Sequence, residues 1–144
     1  MTQLHPGDLK AAFLELEYDA DEDFNGRWNP VGGTGWEHQV KQDVTLDFVG
    51  VELQGDEPEA LADLWGRCTD LPVEHDAEGN PTIAFNNVVL RFVAITDGRG
   101  PGLGGLDIAV ADREYILREA KARKAYVSDD QVNVCGTRWY LKEA

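Results

Sequence analysis

The sequence predicts an α+β fold of two consecutive βαβββ units with an extra strand in front. Three observations carry this reading. Residues 44–96 and 103–144 each hold a strand-like run, one amphipathic helix and three short strand-like runs. The glycine-rich stretch Asp97-Gly-Arg-Gly-Pro-Gly-Leu-Gly-Gly105 separates the two halves. Phe48-Val-Gly-Val-Glu-Leu before the first helix corresponds to Asp107-Ile-Ala-Val-Ala-Asp before the second, 59 residues further on, a weak internal duplication.

The elements follow in order. Leu9 to Tyr18 alternates in a way that suits a strand, and residues 23–36 are too rich in Gly, Asn and Pro for regular structure, so they read as a connector. Trp28 and Trp36 in that connector are expected to pack onto a neighbouring surface, with a ligand contact as the alternative. Residues 1–43 are thus an N-terminal strand and connector, and residues 44–144 the domain proper. Val44 to Leu53 is β-branched and partly alternating, a strand. Asp56 is the expected helix cap and Pro58 the first turn, with Leu61, Leu64, Trp65, Cys68 and Leu71 recurring three and four apart on one apolar stripe until Pro72. Strands are expected at about 72–76, 81–86 and 88–95, separated by the turn sequences Glu78-Gly79-Asn80 and Asn86-Asn87. In the second unit Leu106–Ala111 reads as a strand, Asp112 as a cap, and Arg113 to about Lys124 as a helix turning Ile116, Leu117 and Ala120 inward. Strands at about 125–128, 131–135 and 137–142 complete it.

Composition bounds the function. The chain has 144 residues, 42% of them hydrophobic and 28% charged, which fits one globular domain and excludes disorder, collagen and a disulfide miniprotein. Its net charge of −14 repels phosphate backbones and anionic head groups, so neither nucleic acid nor a membrane surface is an expected partner. Residues 1–72 carry 16 acidic and 4 basic side chains, and the run Glu15, Glu17, Asp19, Asp21, Glu22, Asp23 reads as a solvated face. There is no apolar run of membrane-spanning length and no secretion-signal pattern at the start, so a cytoplasmic location is expected. Cys68 and Cys135 then read as two buried thiols.

Several motifs fail on physical grounds. The glycines at 100, 102, 104 and 105 precede a strand, whereas a phosphate loop must open a helix. Asp19, Asp21 and Asp23 begin like a calcium loop, but Phe24 and Pro30 stand where Gly and a bidentate Glu belong. His5, His38 and His75 have no zinc spacing, and neither cysteine nor Ser128 has a histidine near it in sequence to make a nucleophile.

Paired βαβββ units joined by a glycine-rich link resemble the vicinal oxygen chelate superfamily, the glyoxalase, bleomycin-resistance and extradiol-dioxygenase group. Leu46-Asp-Phe-Val-Gly-Val51 resembles its opening strand, and Gly102-Leu-Gly-Gly-Leu-Asp-Ile-Ala109 its second "G-L-x-H-I-A" strand. The resemblance implies a sheet curled into a cup, a homodimer, and a divalent metal held by a His in each first strand and a carboxylate or amide in each last strand. Those positions fall here on Phe48, Asp107, Arg91 and near Tyr140. A phenyl ring cannot coordinate a cation, and a guanidinium adds a positive charge where the metal would sit. No cofactor is therefore expected, and Arg91 can take the metal's place and pair with Asp107. Leu4-His-Pro-Gly-Asp-Leu-Lys-Ala-Ala-Phe-Leu-Glu-Leu-Glu17 resembles the terminal strand of methylmalonyl-CoA epimerase-like members, with Glu15 at a metal-ligand position. That strand fits either the C-terminal part of a longer two-domain protein or an added edge strand.

Three functions follow. The leading one is small-molecule binding, of a carboxylate or carbonyl compound, without an intact metal centre: Arg91 as anchor, Asp107 as its partner, Tyr140 as hydroxyl donor and Phe48 as apolar wall. The second is a metal-dependent lyase, isomerase or dioxygenase built on Glu15 and Asp107 with His5 or His75. The third is an accessory domain whose cup is filled by side chains. Arg91 and Asp107 fit a ligand site and a purely structural or solvent-facing role equally well.

Overall fold

The computed structural model describes residues 2–18 and 35–143. The readings placed on Trp28 and on Asp19 to Pro30 lie outside the described residues. The chain begins with β1 (Thr2–Leu4), α1 (Pro6–Leu9) and β2 (Leu14–Leu16). The expected strand over 9–18 is therefore much shorter: Pro6 at the first helical position and His5, whose Nδ1 accepts from the Gly7 amide at 3.0 Å, turn its first part into one helical turn. β1 and β2 pair only with each other, so this segment does not extend the main sheet. It packs instead on the core through Leu9, which is 1% exposed and whose carbonyl accepts from Trp65 Nε1 at 3.2 Å. Trp36 is partly exposed and precedes a 3-10 turn over Glu37–Gln39.

The first unit is β3 (Thr45–Gly55), α2 (Pro58–Thr69), β4 (Glu74–His75), β5 (Pro81–Ala84) and β6 (Val89–Ala94). The second is β7 (Gly102–Val110), α3 (Arg113–Ala122), β8 (Tyr126–Ser128), β9 (Gln131–Val134) and β10 (Thr137–Lys142). All eight strands form one open mixed sheet in the order β4-β5-β6-β3-β7-β10-β9-β8. Within each unit the first strand pairs in parallel with the last, β3 with β6 and β7 with β10, and the units join through the antiparallel pair β3–β7. The fold class read from the sequence is the one observed.

Local differences have physical causes. The α2 N-cap is Glu57, without a side-chain hydrogen bond, and not Asp56, because Pro58 fixes the first helical residue. Asp112 does cap α3, accepting from the Tyr115 amide at 2.8 Å. β7 starts at Gly102, inside the stretch read as a linker, because glycines there let other side chains lie directly on the strand. Cys135 is exposed: with Gly136 it forms the two-residue β9–β10 loop, both at positive φ. Cys68 is half-buried, and both thiols are free. No helix among the described residues is long and apolar enough to cross a membrane.

Both helices lie on the same face of the sheet. Leu61, Ala62 and Trp65 of α2 meet Leu53, Ile83, Leu90 and Phe92, while Ile116 and Leu117 of α3 meet Ile108, Val110 and Leu141. Phe92 is fully buried, its ring 6.3 Å from that of Trp65. Truncating it leaves a cavity between sheet and α2, so Phe92→Ala is expected to lower unfolding free energy by about 3–5 kcal/mol in denaturant titration. A loss under about 1 kcal/mol would contradict this packing.

Candidate functional site

The helix-free face owes its chemistry to strand alternation. On β3, Val51 and Leu53 enter the core, so Gly50, Glu52 and Gln54 face the other way. On β10, Trp139 and Leu141 pack under α3, leaving Arg138, Tyr140 and Lys142 on the open side. Arg91 stands between Leu90 and Phe92 on β6, and Asp107 precedes Ile108 on β7. Neighbouring strands therefore place acidic and basic heads side by side.

Arg91 lies at the centre. Its Nη1 and Nη2 donate to the two oxygens of Asp107 at 2.9 and 3.1 Å, and its Nε and Nη2 donate to Glu52 Oε2 at 3.3 and 3.1 Å. Arg138 repeats the scheme from the other unit: Nε donates to Glu52 Oε1, Nη1 to Asp97 Oδ2 and Nη2 to Gln54 Oε1, each at 2.8 Å. The arrangement is crossed. The arginine on the last strand of each unit reaches the carboxylate on the first strand of the other.

The periphery is equally committed. Tyr140 donates its hydroxyl proton to Glu52 Oε1 at 3.2 Å, and the Arg91 guanidinium lies 5.1 Å from its ring centre. Gln54 Nε2 donates to Asp97 Oδ1 and to the Gly100 carbonyl at 2.9 and 2.8 Å. Arg99 donates to Asp97 Oδ2 through Nε and Nη2, which ties the link between the units to the network. Lys142 Nζ stands 3.9 Å from Asp107 Oδ2. Glu52, Gln54 and Asp107 are only 4%, 1% and 8% exposed although no helix covers them, because Arg91, Arg138 and Tyr140 roof them.

Glycines make the room. A Cβ on Gly50 would stand 2.6 Å from Asp107 Oδ2, one on Gly105 would stand 2.8 Å from Tyr140 Cε2, and one on Gly104 would collide with the Arg138 guanidinium. The space those side chains would fill is taken by the network itself.

The electrostatics follow from the pairing. Burial alone disfavours the Arg91 cation, yet the Asp107 and Glu52 carboxylates more than offset it and push its pKa above the ordinary arginine value. Hydrogen bonds, first from Arg99 and then from Gln54, hold Asp97 well below the usual carboxylate range. Burial and the Glu52 charge raise Tyr140, against the pull of Arg138 and Arg91.

The residues singled out from sequence divide accordingly. Arg91, Asp107 and Tyr140 come together, and Arg91 is a buried pair partner with only 18% of its side chain exposed, so the solvent-facing alternative is excluded. Phe48 does not join them. A bulge between Phe48 and Gly50 turns it towards the helix-bearing face, opposite Ile108, with its ring 6.0 Å from Trp139 and half exposed. It is no wall of this site. Glu15, bonded by Gln3, belongs to the separate small sheet, and His75 pairs with Glu59 at 3.1 Å. Glu52, Gln54, Asp97, Arg138 and Lys142 were not singled out, although polar residues alternating with apolar ones on β3 and β10 signalled their common face.

The donor set does not fit the divalent metal that the resemblance implies. Glu52 and Asp107 converge on a guanidinium that a cation would have to displace, and among the described residues no three His, Cys, Asp or Glu side chains form a metal-holding group.

Two measurements test the network. Arg91→Met takes from buried Asp107 its main counter-ion and leaves Glu52 to Arg138 and Tyr140 alone, and is expected to cost about 3–5 kcal/mol of stability, with partial recovery in Arg91→Lys; an unchanged denaturation midpoint would show the pairing to be absent. The raised pKa of Tyr140 makes its contribution to stability complete below about pH 10 and lost as pH rises through the folded value. A 295 nm titration should therefore show a late-ionising phenol that Tyr140→Phe removes, with Tyr126, raised by its bond to Asp129, as a second late one. Loss of no late step in Tyr140→Phe would contradict the assignment.

No protein-family model and no curated protein matches the chain. Solved structures do. Methylmalonyl-CoA epimerase from Mycobacterium tuberculosis superposes with a TM-score of 0.52 at 13% identity, over 74% of this chain and 93% of the epimerase. A xylose isomerase-like TIM barrel/4-hydroxyphenylpyruvate dioxygenase fusion protein superposes with a TM-score of 0.51 at 17% identity, over 72% of this chain and 21% of its own. At these identities the likeness concerns architecture alone, and with the strand order above it leads to one conclusion: the chain has a paired βαβββ fold, shared with these structures and in keeping with the resemblance read from its sequence.

Proposed function

We propose that this is a glyoxalase-like small-molecule-binding protein that works without a bound metal, its ligand a small carboxylate or carbonyl compound seated on the open face over the Arg91 network. The observation that carries this is charge balance. Arg91, Arg99, Arg138 and Lys142 offset Glu52, Asp97 and Asp107 in one connected network, and Asp76 feels the charge of Arg91, so this face is close to neutral inside a chain of net charge −14. A near-neutral face on an otherwise acidic protein repels an anion or a carbonyl oxygen least, and Lys142 offers it a cation there.

The roles differ from those first expected. Arg91 has four of its N–H contacts spent on Asp107 and Glu52, so it sets the field as a buried counter-ion and does not grip the ligand. Lys142 is the least committed cation of the network, with a side chain 48% exposed and its ammonium 3.9 Å from Asp107 Oδ2, and it serves as the anchor. Tyr140 supports it from below, the ammonium lying 5.9 Å from its ring centre. A metal-dependent isomerase or dioxygenase centre would need Glu15 and Asp107 to meet, and they belong to separate sheets.

One observation favours a second reading, an interaction domain without a ligand: the buried heads Glu52, Gln54 and Asp107 are all paired. Thermal unfolding in the presence of acetate, pyruvate and benzoate separates the two, with elemental analysis of the same preparation. Binding at 100 times Kd stabilises by about 2.7 kcal/mol, so the proposal expects a clear rise in Tm that Lys142→Ala abolishes while its ligand-free Tm stays put. A flat response to every compound would favour the filled-face reading, and stoichiometric metal would overturn the metal-free one.

A further inference from the structure

Resting on the ligand reading above, we infer that the compound this face takes is amphipathic: a monocarboxylate whose apolar part lies against the first unit and whose head points to Lys142 in the second. Strand register draws the line along which it would lie. Ala84 sits beside Val89, Val89 beside Gly50, Gly50 beside Asp107, and Asp107 beside Tyr140. Gly50, Asp107 and Tyr140 belong to the open face, so their register partners Val89 and Ala84 share it.

The two ends of this row differ in chemistry. Ala84 is exposed and Val89 is 43% exposed, and Val93 stands on the same side of β6 two residues beyond Arg91. These are apolar groups on a face whose other members are mainly charged or amide-bearing. At the far end Gln131 stands beside Tyr140, and Lys142 presents its ammonium next to Asp107. Between them Gly50 contributes no side chain, and the Asp107 carboxylate, locked to Arg91, lies flat over it.

Size follows from the spacing. Val89 and Asp107 are two strands apart, on the order of 10 Å, and the Lys142 ammonium lies at the Asp107 end of that span. A carboxylate bearing a chain of roughly four to six carbons, or a single aromatic ring, bridges it, with the anion beside Lys142 and the hydrocarbon over the valines. A purely polar metabolite would leave Val89 and Ala84 in water, and a neutral hydrocarbon would leave Lys142 unused.

The test is a homologous series on the full chain. Isothermal titration with acetate, butyrate and hexanoate, and with hexanamide as the uncharged control, is expected to show affinity rising about three- to fourfold per added methylene. Val89→Ser should flatten that rise and leave acetate unchanged; Ala84→Ser serves as a second variant should Val89→Ser fold poorly, and circular dichroism checks both. Lys142→Ala should weaken every acid by a similar factor and leave hexanamide as it was. Acetate binding with no dependence on chain length would overturn this inference and leave the carboxylate reading standing. Hexanamide binding as tightly as hexanoate would overturn the assigned head group. Failure of every acid to bind would overturn the carboxylate reading itself, and this inference with it.

Discussion

A guanidinium held between two buried carboxylates from different halves of the chain is the interaction on which the rest of this structure depends. Arg91 touches Glu52 of its own unit and Asp107 of the other, and Arg138 returns the contact to Glu52. Burying three or four such charges is costly for each alone, and only their mutual hydrogen bonding makes the arrangement stable. The network thereby constrains which strands can be neighbours: the β3–β7 pair that joins the units is also the pair carrying Glu52 and Asp107.

Glycine is what lets this happen on a β-sheet. Side chains on a strand ordinarily stand up from it and keep their neighbours at a distance. At Gly50, Gly104 and Gly105 none stands up, so Asp107, Arg138 and Tyr140 lie down on the backbone and shield one another from water. This explains how residues on a face without a helix become nearly as buried as the apolar core on the other side. It also explains why β7 runs through a glycine-rich stretch that local propensity would assign to a linker.

A guanidinium and a divalent cation satisfy carboxylates in different ways. A metal offers open coordination positions that substrate oxygens can enter, whereas Arg91 presents a fixed plane of N–H groups already spent on protein acceptors. Lys142, at the end of the last strand, is the cation of the network with the most exposed side chain, Tyr140 lies beneath it, and the valines of β6 supply the apolar counterpart. The fold holds a closely paired, nearly neutral floor, and the proposed ligand site lies at its edge.

Much of this was legible in the amino-acid order because it is local. Alternation marked β3 and β10, three-and-four spacing marked α2, Asp112 announced α3, and the duplicated pattern implied paired units. The joining of Arg91 with Asp107 was legible too, since both fall on the metal-ligand positions that the family resemblance implies. What local sequence left open was decided by register. One bulge in β3 sends Phe48 to the opposite face from Gly50, and Glu52, 86 positions before its partner Arg138, becomes central only once the strands align. Composition and periodicity determined the elements and their polarity, because those depend on neighbours a few residues apart; the tertiary structure alone decided which charges meet, because that depends on where distant strands stop sliding past each other.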